Sequence, residues 1–113
     1  MIVCTSAAVA GHRVTKTLGL ATGSTIRARH LGKDILAVFK NIVGGEIEEY
    51  TKMLGEAREQ ALDRMCAHAK QQGANAVVDM RFASSYVMGS ASEILAYGTA
   101  VVVEPDPAPP SDL

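Results

Sequence analysis

Proline is missing from this 113-residue chain until Pro105, after which Pro107, Pro109 and Pro110 follow in quick succession. A residue that cannot donate to a ladder or continue a helix is therefore confined to the end, so the fold is expected to span 1–104 as one domain, with 105–113 a proline-rich disordered tail. Aromatic side chains are scarce, at 4%. That removes the stacking platforms on which single-stranded nucleic acids are bound. Charge of either sign is not in excess, the net value being −1, so no global field draws in a polyanion or an anionic membrane surface. Long apolar runs are lacking too: the stretch from Ile2 to Ala10 is broken by Cys4, Thr5 and Ser6 and is far shorter than the ~20 residues of a membrane span. It also lacks the basic start of a secretory signal. The cysteines are two, Cys4 and Cys66, and form no CxxC pair. A soluble, reduced, cytoplasmic setting with free thiols is the expectation.

Between these absences lie glycine-punctuated periodic segments. Met1 to Thr5 reads as a first strand and Arg13 to Ala21 as a second, with Val14, Lys16, Leu18 and Leu20 on one face. Gly19 falls on the opposite face, as at a bulge or a close backbone approach. Beyond Gly23, Thr25 to Arg29 alternates again as an edge strand or extended loop. Asp34 can begin a short helix whose Ile35, Val38, Phe39 and Ile42 are spaced for one face, stopped by Gly44-Gly45. A long helix from Glu46 to Gln72 then carries Ile47, Tyr50, Leu54, Ala57, Ala61, Met65 and Ala69 as a stripe. At ~1.5 Å per residue it is roughly 40 Å long. Gly73 suits the left-handed residue that ends it.

Ala76 to Phe82 alternates with Val78, Met80 and Phe82 on the core face, and a loop is expected around Ser84, Ser85, Gly89 and Ser90. The last strand, Ile94 to Glu104, is uncharged on both faces until its end. One helix covers one side of a small sheet, so the other side needs the short helix or another subunit. Ala96 and Ala100 are assigned to the side that a neighbouring subunit covers. The fold class is α+β: an antiparallel sheet on one long and one short helix, in the order β-β-α-α-β-β.

Several side chains are candidates for chemistry. Cys66 and His68 stand two residues apart, roughly 200° around a helix, and so cannot chelate one ion from it. Cys4, His12 or Cys66 could instead be pooled between subunits, each copy giving one ligand to a soft or transition metal. Glu46, Glu48 and Glu49 cluster at a helix start, where they oppose the positive end of its dipole; a hard-cation site would need acids from elsewhere. Arg58 falls near the middle of the apolar stripe, where a guanidinium either snorkels, pairs with an acid such as Asp79 or Glu46, or recognises an anionic ligand. Arg27, Arg29, His30 and Lys33 form the basic cluster; the neutral total charge speaks against nucleic acid and for a charged edge that blocks sheet pairing. No nucleophile elbow, GxGxxG or GxxxxGK[ST] occurs.

The blocks Asn41-Ile42-Val43-Gly44-Gly45-Glu46, Ala57-Arg58, Gly73-Ala74-Asn75-Ala76-Val77-Val78 and Ala96-Tyr97-Gly98-Thr99-Ala100-Val101, in this order, resemble the YbjQ-like family of small bacterial proteins. The resemblance spans Ile2 to Glu104. It implies a ring-like homopentamer of small, dodecin-like α+β subunits, of unestablished function and described as "putative heavy-metal-binding". The chain departs from the family pattern at Asp79, where members tend to carry glycine, and at Ala83, where they often carry an acid. The expected function is a non-enzymatic, oligomeric binding protein for a metal or small ligand at subunit boundaries. An enzyme with its site shared between subunits and a purely structural scaffold are the alternatives.

Overall fold

The computed structural model describes residues 1–27, 44–87 and 91–107. Its elements are strand β1 (Ile2–Val3), strand β2 (His12–Arg27), helix α1 (Gly44–Gln71), strand β3 (Ala76–Val87) and strand β4 (Ala91–Pro105). The expected short helix at Asp34 to Ile42, and the basic residues Arg29, His30 and Lys33, lie outside the described residues. The strands form one sheet in the order β1-β3-β4-β2. The chain is thus α+β, but its sheet is mixed rather than antiparallel: β1 runs parallel to β3, with Ile2 opposite Ala76, while β2 and β3 both flank β4 antiparallel.

Two differences from the sequence reading arise within β2. Arg13 to Ala21 and the residues from Thr25 to Arg27 are not separate segments, because Gly23 sits within β2 and does not end it. Its missing side chain makes room for α1: a Cβ there would strike the helix backbone at Met65 and Ala61. Gly19 adopts φ +124° at a register shift between Thr17 and Gly19, a bulge as its position implied. With a second shift between Val14 and Lys16, the alternation along β2 is broken. Leu18 therefore packs toward the helix side, while Val14 and Leu20 are exposed.

A bulge also reorders β3. Asp79 takes φ +54°, the left-handed region that glycine and, less readily, aspartate adopt, and the register shifts between Val78 and Arg81. Val77, Met80 and Phe82 consequently share the helix side, and Val78 turns to the other; strict alternation had put Val78 with Met80. The bulged Asp79 N–H donates to Ser6 O at 2.9 Å and Met80 N–H to Cys4 O at 3.0 Å. The chain beyond β1 is thereby tied along β3. Arg81 Nη1 adds a bond to Thr5 O at 2.7 Å. Ser84 and Ser85 belong to β3, not to a loop, because the β3–β4 ladder continues to Val87 opposite Ala91.

The core has two parts, one on each side of the sheet. Ala61, Met65 and Ala69 of α1 press on Ala21, Val77, Met80, Ala96 and Ala100. Alanine and glycine dominate this contact, which lets the helix ride close to the strands. Ala96 and Ala100 are therefore covered by the chain's own helix, correcting their assignment to a face covered by a neighbouring copy. On the far side Ala76, Val78, Val101 and Val103 pack under Val9, with Cys4 beside them. The segment between β1 and β2 provides that cover.

Helix α1 begins at Gly44, so the glycine pair forms its first turn rather than a connector. It ends as expected: Gly73 has φ +92°, its N–H donates to Lys70 O at 2.9 Å, and Ala74 N–H donates to Ala69 O at 3.0 Å. The far end of the sheet extends slightly past Glu104. β4 includes Pro105 opposite His12, and Asp106 N–H donates to Gly11 O at 2.9 Å.

Candidate functional site

α1 runs over β2 and β4, and none of the described residues roofs the helix-side face of β3 beyond its bulge. There a groove of about 470 Å³ opens, lined by Leu54 and Arg58 of α1, Phe82 and Ser84 of β3, and Ser92 and Ile94 of β4. Its floor follows from register, since Phe82 pairs with Ala96 and Ser84 with Ile94, and paired residues share a face. Phe82 is 45% exposed, unusual for so large an apolar side chain in the middle of a strand.

Arg58 stands at the groove wall, exposed. It is not in the buried stripe, which is narrow: Ala57, Ala61, Met65 and Ala69 recur at four-residue intervals, and Arg58 lies ~100° around the helix from Ala57. Among the described residues it has neither an ion pair nor a hydrogen bond. The salt bridge found among them is Arg13–Glu104, 3.3 Å apart, between exposed cross-strand partners.

The candidate metal ligands are scattered. Cys66 packs against the helix-side cluster and Cys4 against the opposite one, so the sheet separates the two thiols. His12 lies at the start of β2, its Nδ1–H donating to Ala10 O at 3.0 Å. Glu46 and Glu49 fall in the first turns of α1, and their side chains lie outside the described part. Among the described residues no three His, Cys, Asp or Glu side chains come together as a metal centre. The described donors of a single chain therefore do not fit a heavy metal.

His68, discounted as a partner for Cys66, has another task. Thr22 N–H donates to its Nδ1 at 3.0 Å, which places the imidazole proton on Nε2. One turn to either side, Arg64 Nη1 donates to Ser24 O and Gln72 Nε2 to Leu20 O, the latter at 2.9 Å. Positions 64, 68 and 72 advance ~6 Å per step along the helix while 24, 22 and 20 advance ~6.7 Å along the strand, so the two spacings match. Side chains of α1 thus occupy the backbone groups on the open edge of β2. Four-residue spacing of polar residues beside the alanine stripe was the signal available for this.

A family described as "Putative heavy-metal-binding" matches residues 1–104. A UPF0145 protein of Dehalococcoides mccartyi is 62% identical over 104 residues, covering 92% of this chain and 100% of its own. UPF0145 proteins of Pyrococcus abyssi and Methanosarcina acetivorans are each 57% identical; the alignments cover 92% and 91% of this chain and 91% and 97% of theirs. The chain belongs to the YbjQ-like, or UPF0145, family. A crystal structure of a protein of unknown function in the DUF74 family, from Pediococcus pentosaceus, superposes with a TM-score of 0.60 at 13% identity. It covers 92% of this chain and 98% of that one, and shows the same fold. No helix among the described residues is long and apolar enough to cross a membrane.

Proposed function

We propose that the protein is a non-enzymatic homo-oligomeric binding protein whose ligand site is completed where subunits meet, with the ring-like pentamer of dodecin-like subunits as its assembly. The supporting observation is the sheet face opposite α1. Register puts Leu20 and Ile26 of β2 on that face with Leu95 and Tyr97 of β4, beyond the reach of the cover given by Val9. Leu20 is 62% exposed and Ile26 61%. Apolar side chains grouped on a sheet face mark a contact surface, since each stabilises a contact by about 25 cal/mol per Å² removed from water.

The family description brings a heavy metal into this reading, and the separation of Cys4 from Cys66 restricts how. A soft ion would take thiolates or imidazoles from more than one copy, Cys4, His12 or Cys66 contributing singly. A cytoplasmic setting keeps those thiols reduced. Native mass spectrometry and elemental analysis of untagged protein test the reading together. The expected result is a closed oligomer, with any bound metal lost from the Cys4→Ser, Cys66→Ser variant. A monomer at micromolar concentration overturns the proposal.

A further inference from the structure

We infer that the groove beside Arg58 binds a small organic carboxylate with an apolar body, lodged between α1 and the helix-side face of the paired strands β3 and β4. This names a ligand class for the binding role proposed above and rests on that role, not on the assembly. Three properties of the groove carry the inference. Its size, about 470 Å³, is that of a small-molecule site. Its apolar lining, Leu54, Phe82 and Ile94, offers an aromatic and aliphatic surface, with Phe82 exposed far beyond the habit of strand phenylalanines. Its charge is of one sign: among the described residues Arg58 is the charged group in the lining, with the hydroxyls of Ser84 and Ser92 on the same face and no carboxylate in the lining.

A guanidinium presents donors in a planar fork that matches a carboxylate, and serine hydroxyls can satisfy an oxygen the fork leaves over. Among the described residues, the nearby Glu93 does not compete for it: its Oε1 accepts from Ser85 Oγ at 3.4 Å, and register turns this pair toward the face opposite the groove. The amphipathic lining also discriminates. Inorganic anions have no use for Phe82 and Ile94, and an uncharged apolar molecule leaves Arg58 without a partner.

Phenylacetate and its uncharged isostere phenylacetamide separate these contributions, followed on the full-length protein through the backbone amide resonances of Phe82, Ser84, Ser92 and Ile94. Phenylacetate is expected to move them saturably. Phenylacetamide should bind roughly tenfold or more weakly, the factor carried by one charge-assisted pair. Arg58→Gln should remove the preference between the two probes, Arg58→Lys should retain part of it, and acetate alone should bind more weakly than phenylacetate. Arg58 is exposed, so these variants are expected to keep the parent's melting temperature. Equal binding of the two probes by the parent, an unaltered preference in Arg58→Gln, or no saturable shift at these residues overturns the inference. Native mass recorded on the same samples keeps the two proposals apart. A monomer that still prefers phenylacetate would sink the oligomer and leave the groove standing, and a ring without the preference would do the reverse.

Discussion

Asn75 holds Val103 by both of its backbone groups: its Nδ2 donates to the Val103 carbonyl at 2.9 Å and its Oδ1 accepts from the Val103 N–H at 2.8 Å. β4 runs past the point where β3 begins at Ala76, so Val103 would otherwise face an empty rung. The amide side chain supplies that rung while Asn75 N–H donates to Val101 O at 3.1 Å. Gly73 turns the chain out of α1 and Asn75 fastens it to β4 within two residues, a physical reason for the glycine and asparagine of Gly73-Ala74-Asn75.

Asn75→Ala is therefore expected to lower stability by about 1–3 kcal/mol, two bonds being lost beside a buried valine. Asn75→Asp should cost at least as much, because a carboxylate cannot donate to the Val103 carbonyl and repels it. Urea denaturation checks both. A change below the error of the measurement would mean that water replaces the amide.

Close approach of α1 to β2 depends on Gly23, since a Cβ there collides with helix backbone rather than with a movable side chain end. Gly23→Ala should destabilise by about 1–3 kcal/mol or more through displacement of the helix. Gly55 is the internal control. It lies in α1, where an added Cβ would meet nothing within 4 Å, so Gly55→Ala should stabilise by about 1 kcal/mol through helix propensity. Opposite shifts in melting temperature are the expected result, and shifts of the same sign would contradict the packing described.

The long helix, its alanine stripe, the Gly73 stop and the bulge at Gly19 were legible because each depends on local periodicity or on backbone freedom. Helix-side burial of Ala57, Ala61, Met65 and Ala69 follows from four-residue spacing alone. What the sequence hid depends on long-range registry. The aspartate at 79 does not by itself announce a positive φ, although the glycine of the family pattern there agrees with one, and that single bulge decides that Phe82 lies with Met80 on the helix side and Val78 does not. Gly23 looks like a turn because glycine permits turns, and only the helix lying across it reveals the steric reason. Arg58 looks central on a helical wheel only when the stripe is drawn wider than the four-residue row that the sheet covers. The groove was not legible at all, since it exists where α1 leaves β3 uncovered, a matter of helix placement and not of composition.

His68 offers a test of edge protection. Its Nδ1 accepts from Thr22 N–H, so His68→Leu should cost about 0.5–1.5 kcal/mol and speed hydrogen exchange at Thr22, while His68→Gln can restore an acceptor. Nitrogen NMR should find the neutral ring protonated on Nε2. Replacing Arg64, His68 and Gln72 together by alanine strips the edge of β2 from Leu20 to Ser24 and is expected to promote aggregation, as uncovered edges do. A triple variant as soluble and as slow to exchange at Thr22 as the parent would show that the three side chains guard nothing.

Assembly is best tested on the face opposite α1. A charge at Ala96 or Ala100 would be buried against the subunit's own helix and unfold it, so it says nothing about neighbours. Leu20 and Ile26 are exposed in the single subunit, and Leu20→Lys with Ile26→Lys should leave that subunit folded whatever surrounds it. If the face lies between copies, two unpaired ammonium groups are carried into an apolar contact, and light scattering should record a fall from the oligomer to smaller species with helix content retained. The single changes should each weaken assembly less than the pair. An assembled double variant of unchanged mass and melting temperature would place the contact elsewhere and remove the support that these side chains lend to the oligomeric reading.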